Sequence, residues 1–133
     1  MGLQEKKAIQ SIKDQYMDDL QKELNEIVGK ELPIEIEWDS FSNDADAIKF
    51  IPGVAVRRPI DAFRDICSDN MGKEAVQEAI NQLSIVNIEK ENAEANKSME
   101  LKGGVFTIKA SFGGHYSGFF NDTQMKEYLE NNL

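Results

Sequence analysis

The chain has 133 residues, 41% of them hydrophobic and 29% charged, and a net charge of −9. That length is one domain with room for a substantial core, and the composition is that of a globular chain and not a disordered one. The negative charge opposes nucleic acid and anionic lipid as partners, since both require a positive field, and the apolar runs are too short to span a bilayer.

The N-terminus runs directly into a charged amphipathic segment with no signal-peptide apolar region, and Lys6 stands where a myristoylation signal requires Ser or Thr. A cytoplasmic location is therefore expected. A single cysteine excludes an intrachain disulfide. Without a secretion signal the triplets Asn96-Lys97-Ser98 and Asn121-Asp122-Thr123 carry no glycosylation meaning.

From Gln4 to Val28 the residues Ile9, Ile12, Tyr16, Leu20, Leu24 and Ile27 recur in steps of three and four. That spacing predicts a long helix with one buried side, ended by Gly29 with Pro33 just beyond. Residues 33–39 alternate, which predicts a strand with Ile34, Ile36 and Trp38 inward and Glu35, Glu37 and Asp39 outward. Ser40 to Asn43 is a turn, and Ser42 or Asn43 caps a short helix over Asp44 to Phe50. Gly53 to Arg58 reads as an apolar loop or short extended piece. Pro59 then starts a helix at the position where proline is favoured, with Ile60, Phe63, Ile66 and Cys67 on its apolar side. Gly72 to Leu83 is helical again.

Ser84 to Glu91 reads as a strand, and Asn92 to Asn96 as a polar link. The clearest local signal follows. Gly103-Gly104 suits a two-residue type I′ hairpin turn, because both positions tolerate positive φ. That turn pairs Lys102 with Val105, Leu101 with Phe106 and Met99 with Ile108, and puts Met99, Leu101, Phe106, Ile108, Ala110 and Phe112 on one face. A long link at Asn92 to Asn96 would make Ser84 to Phe112 a three-strand meander. Gly113 to Gly118 is a loop, and Asn121 or Asp122 caps a last helix with Met125, Tyr128 and Leu129 inward. The expected fold class is α+β. It is a two-layer sandwich in which a mainly antiparallel sheet of about four strands carries helices on one face, with a long N-terminal and a short C-terminal helix.

No Walker, dinucleotide or hydrolase-elbow motif is present. His115, the only histidine, lies in a Gly-rich loop beside Tyr116, where it reads as a general base, a ligand or an exposed loop residue. Cys67 shares a helix face with core residues and reads as a small hydrophobe. Asp39, Asp44 and Asp46 lie close together without the spacing of an EF-hand loop, and caps or solvated charge account for them. The row Glu35, Glu37, Asp39 is an acidic surface if that sheet face is uncovered. All three arginines, Arg57, Arg58 and Arg64, fall within eight residues, and Arg57-Arg58 precedes the predicted helix start at Pro59. That is the pattern of an anion or carboxylate site, with pairing to carboxylates as the alternative.

Three functional readings follow. The leading one is a non-enzymatic protein-binding or accessory module with a basic partner. The second is a small-anion or carboxylate ligand-binding protein, or an enzyme, using Arg57, Arg58, Arg64, His115 and Tyr116. The third is a self-associating structural domain, a homodimer formed through the long first helix and an open strand edge. No metal or cofactor is indicated.

Overall fold

A computed structural model describes residues 2–133. The long first helix is there, in three joined pieces. Helix α1 spans Leu3–Ile12, a π-helical turn spans Lys13–Met17, and α2 spans Asp18–Val28. The π turn adds about one residue to the ladder and rotates the apolar stripe. Ile9, Ile12, Leu20, Leu24 and Val28 are buried, while Tyr16, expected on that face, is 45% exposed. Gly29 closes α2 in the left-handed conformation, φ 80°, with its N–H bonded to the Asn25 carbonyl. Gln21 and Asn25 then reach past the helix end and fix the chain entering the sheet. Asn25 Oδ1 accepts from the Leu32 N–H at 2.9 Å, and Gln21 Oε1 accepts from the Ile34 N–H at 2.8 Å.

Strand β1 is short, Ile34–Ile36. The predicted strand stops before Trp38, because Trp38–Phe41 turns into a 3-10 helix that buries Phe41 completely and leaves Trp38 partly covered. Helix α3, Ala45–Lys49, is capped by Asp44 itself, not by Ser42 or Asn43. A π-helical segment, Ile51–Val56, leads without a break into α4, Arg57–Ile66. The expected loop at Gly53 to Arg58 is thus helical. Pro59 is the third residue of α4 and not its start, and the wide turn lies just ahead of this residue that cannot donate to the ladder. Helix α5 spans Asn70–Ala79, β2 Gln82–Asn87, α6 Ala93–Asn96, β3 Ser98–Lys102, β4 Val105–Ala110 and α7 Asp122–Asn132.

The fold is mixed α+β, with a four-stranded sheet in the order β1-β2-β4-β3. The hairpin register is as the turn dictates, with Lys102 opposite Val105, Leu101 opposite Phe106 and Met99 opposite Ile108, and with φ of 60° and 82° at Gly103 and Gly104. The sheet is otherwise not mainly antiparallel, so the expected antiparallel two-layer sandwich is not matched as stated. Strand β2 pairs with β4 in parallel, Leu83 opposite Phe106 and Ile85 opposite Ile108, and β1 pairs in parallel with β2. The meander fails for a packing reason. Leu83, Ile85, Phe106 and Ile108 are all fully buried, so β2 and β4 make the apolar centre. Strand β3 exposes Ser98, Glu100 and Lys102 and suits an edge.

Helix α4 packs between α2 and α7, and α7 also rests on β3. Phe63 of α4 meets Phe106 edge-on at 6.2 Å, and Tyr128 of α7 stacks on Phe106 at 5.9 Å. The Tyr128 hydroxyl accepts from the Leu101 N–H, so the helix is also pinned to the edge strand. The outward residues of the central strands, Gln82, Ser84, Val86, Thr107 and Lys109, are only half-buried or exposed.

Gly72 lies where α5 crosses the end of α4. A Cβ there would stand 2.0 Å from the Ile66 carbonyl oxygen, whereas one at Gly53 meets nothing within 4 Å. Gly72→Ala is expected to cost about 2 kcal/mol or more. Gly53→Ala is expected to stay within about 1 kcal/mol of the parent, on the stabilising side. Urea midpoints of the two variants check this pair.

Candidate functional site

Two parallel pairings point β1, β2 and β4 the same way, and their carboxyl ends open onto the segments 38–46, 88–91 and 111–118. Crevices outside such strand ends are where α/β sheets bind ligands. Three hollows lie side by side here. A cleft of about 640 Å³ runs between Asp44, Asp46 and Glu89 to Glu91. A smaller one of about 220 Å³ shares Lys90 with it and reaches His115. A cavity of about 370 Å³ shares Glu94 and Ser117 with the second and ends at Arg58 and Asn121.

Asn87, the last residue of β2, holds this end together. Its side chain is 8% exposed. Its Nδ2 donates to the Ser40 carbonyl at 3.2 Å and to Asp44 Oδ2 at 3.1 Å, and its Oδ1 accepts from the Phe112 N–H at 3.2 Å. Its own N–H donates to Ser40 Oγ. Asp44 is committed as well, because its other oxygen caps α3 at the Ala47 N–H. Among the described residues the large cleft has four carboxylates, of which Asp46, Glu89 and Glu91 are the exposed ones, and a single cation, Lys90. Asp39, outward on the 3-10 helix, is not part of this lining.

The arginine cluster divides. Arg57 grips Glu23 of α2 with both terminal nitrogens, the second at 3.2 Å. Arg64 holds the same carboxylate and Asp61. The Arg57 hydrogen bond, helped by the one from Arg64, holds the Glu23 carboxyl below its ordinary range against the opposing effect of burial. Arg58 points elsewhere. It forms no ion pair among the described residues, and its Nε is buried without an acceptor. Since the helix continues back to Ile51, neither Arg57 nor Arg58 stands at a free helix N-terminus, and the anion argument from Pro59 fails.

His115 and Tyr116 are both exposed, their rings 4.1 Å apart. His115 Nδ1 accepts from the Ser117 N–H and lies 3.0 Å from its hydroxyl. Tyr116 lines the same cavity as Arg58, while His115 lines the neighbouring one. The structure thus joins Arg58 to Tyr116, sets His115 beside them, and turns Arg57 and Arg64 towards Glu23. Phe119 and Phe120 pack on the core, and Tyr116 does not. Lys97, Asn121 and Gln124 complete the Arg58 cavity. Their recruitment depends on how β3 and α7 are placed, for which the sequence holds no local signal.

Burial pushes the Cys67 thiol up, away from thiolate character. No group of three or more His, Cys, Asp or Glu side chains that could hold a metal ion occurs among the described residues. No helix among them is long and apolar enough to cross a membrane. No family model, curated protein or solved structure matches the chain.

Two consequences are measurable. Asn87→Ala leaves the Phe112 N–H and one Asp44 oxygen without their partner and is expected to cost about 2 to 3 kcal/mol in chemical denaturation. The lowered carboxyl makes Glu23 stabilising above its ordinary pKa, with that stability lost as the pH falls through the lower folded value. The parent is therefore expected to exceed Glu23→Gln by about 1 kcal/mol at neutral pH, a modest amount because the group is part-exposed. In parallel urea titrations that gap should close in acid.

Proposed function

We propose that the protein is a non-enzymatic binding module that holds a Lys- and Arg-rich segment of a partner protein in its large acidic cleft. The observation that carries this reading is the charge of that cleft, where Asp44, Asp46, Glu89 and Glu91 face a single cation, Lys90. Like charges gathered in a concave, low-dielectric wall focus their field and raise the local concentration of cations. The exposed carboxylates are on two separate segments, so an extended chain laid between them meets acids on both sides. The net charge of −9 steers a basic partner towards the molecule in the same sense. The raised Cys67 thiol gives no support to nucleophilic catalysis at that residue.

A fluorescently labelled peptide of alternating lysine and serine, titrated by anisotropy, tests the reading. Saturable binding that weakens with added salt is expected. Changing Asp46, Glu89 and Glu91 together to Asn, Gln and Gln should weaken it about tenfold, as three partly exposed charges together contribute about 1 to 2 kcal/mol. Neutralising Asp18, Asp19 and Glu26 on α2 in the same way should change it far less. Equal losses in both triple variants would mean that net charge alone acts, and the cleft assignment would fall.

A further inference from the structure

We infer that the cavity between α4, α6 and the start of α7 binds a small molecule through an oxyanion head group, a carboxylate or a phosphate. The inference is independent of the acidic cleft. In a chain with 24 acidic and 15 basic side chains, Arg58 has no carboxylate partner among the described residues. Its Nε is buried without an acceptor, while the residue as a whole is only half-buried. The neighbouring arginines share one glutamate instead, although Glu94 stands in the wall of the same cavity as Arg58.

The rest of the wall is rich in donors. Lys97 Nζ gives one hydrogen bond to the Phe119 carbonyl at 3.3 Å and lies over the Phe120 ring, which anchors the ammonium and leaves further N–H donors free. Asn121 and Gln124 form the capping box of α7. Asn121 Oδ1 accepts from the Gln124 N–H, and Gln124 Oε1 accepts from the Asn121 N–H. Each side-chain oxygen is thereby engaged, each amide NH₂ group is left without a partner in that box, and both residues line the cavity. The positive end of the α7 dipole lies behind them. Arg58, Lys97, Asn121, Gln124 and Tyr116 line the hollow beside a single carboxylate residue, Glu94. Guanidinium, ammonium and amide N–H groups around one hollow match the oxygens of a carboxylate or phosphate. At about 370 Å³ the hollow exceeds a bare anion and has room for a body beyond the head group.

Nitrogen-15 NMR titrations of the whole chain with inorganic phosphate and with benzoate test this. Saturable shifts confined to the backbone amides around Arg58, Lys97 and Asn121 are expected for at least one probe. The tighter probe identifies the head group. Arg58→Gln and Lys97→Gln should each weaken binding about tenfold, and Glu94→Gln should strengthen it about threefold. Glu91→Gln, outside this cavity, should leave it unchanged. If Arg58→Gln does not fold, the opposite signs of Lys97→Gln and Glu94→Gln decide the matter. Shifts that stay linear into tens of millimolar for both probes would overturn the site, as would equal tightening by Glu91→Gln and Glu94→Gln.

Discussion

An amide buried at the end of a strand costs free energy unless each of its donors and acceptors is matched. Asn87 meets that demand with groups from two other segments: Ser40 and Asp44 before α3, and Phe112 after β4. One side chain therefore fixes how far apart the segments leaving β1, β2 and β4 lie. The same requirement explains Gly113, where a Cβ would stand 2.5 Å from Asp44 Oδ1. The chain leaving β4 passes so close to the α3 cap that no side chain fits. The large cleft is what remains open once these polar groups have found each other, and it inherits its charge from the residues that did not need to turn inward.

Charge is distributed by the same logic of matched and unmatched groups. Glu23 satisfies two arginines at once and ties α2 to α4 across the helical layer. That pairing turns two of the three arginines towards one carboxylate and sets the third apart. Three hollows sharing their walls run across one end of the sheet, with carboxylates at one extreme and donors at the other. A protein of uniformly acidic composition thus presents a local gradient of charge that its net value hides.

What the sequence revealed was what it encodes locally. The Gly103-Gly104 turn and the alternation on both sides of it fixed the hairpin register, because turn type and strand face are properties of neighbouring residues. The Gly29 cap and the inward face of α7 were legible for the same reason. The parallel pairing of β2 with β4 was not, because it joins residues such as Leu83 and Phe106 that no turn connects. Alternation in the 84–91 segment says that a strand exists and not which neighbour it takes. The site followed suit: the arginine cluster stood out in composition, but which arginine is left unpaired depends on Glu23, thirty-four residues before Arg57. The helical run through Ile51–Val56 was hidden by Pro52 and Gly53, which read as a stop yet fit a wide turn, and by Pro59, which reads as a helix start.

The π turn at Lys13–Met17 sets how the two halves of the first helix are aligned. Ile12 and Leu20, the buried residues on either side of it, are eight positions apart, which on a regular α-helix would leave them about 80° apart around the axis. Seven positions would bring that to about 20°, in line with the steps of three and four that run from Ile9 to Ile12 and from Leu20 through Leu24 to Val28. The helix thus behaves as an ordinary amphipathic helix that has absorbed a one-residue insertion by widening a single turn. Its two halves keep their grip on the core, and the surplus residue is accommodated where Tyr16 swings out to solvent.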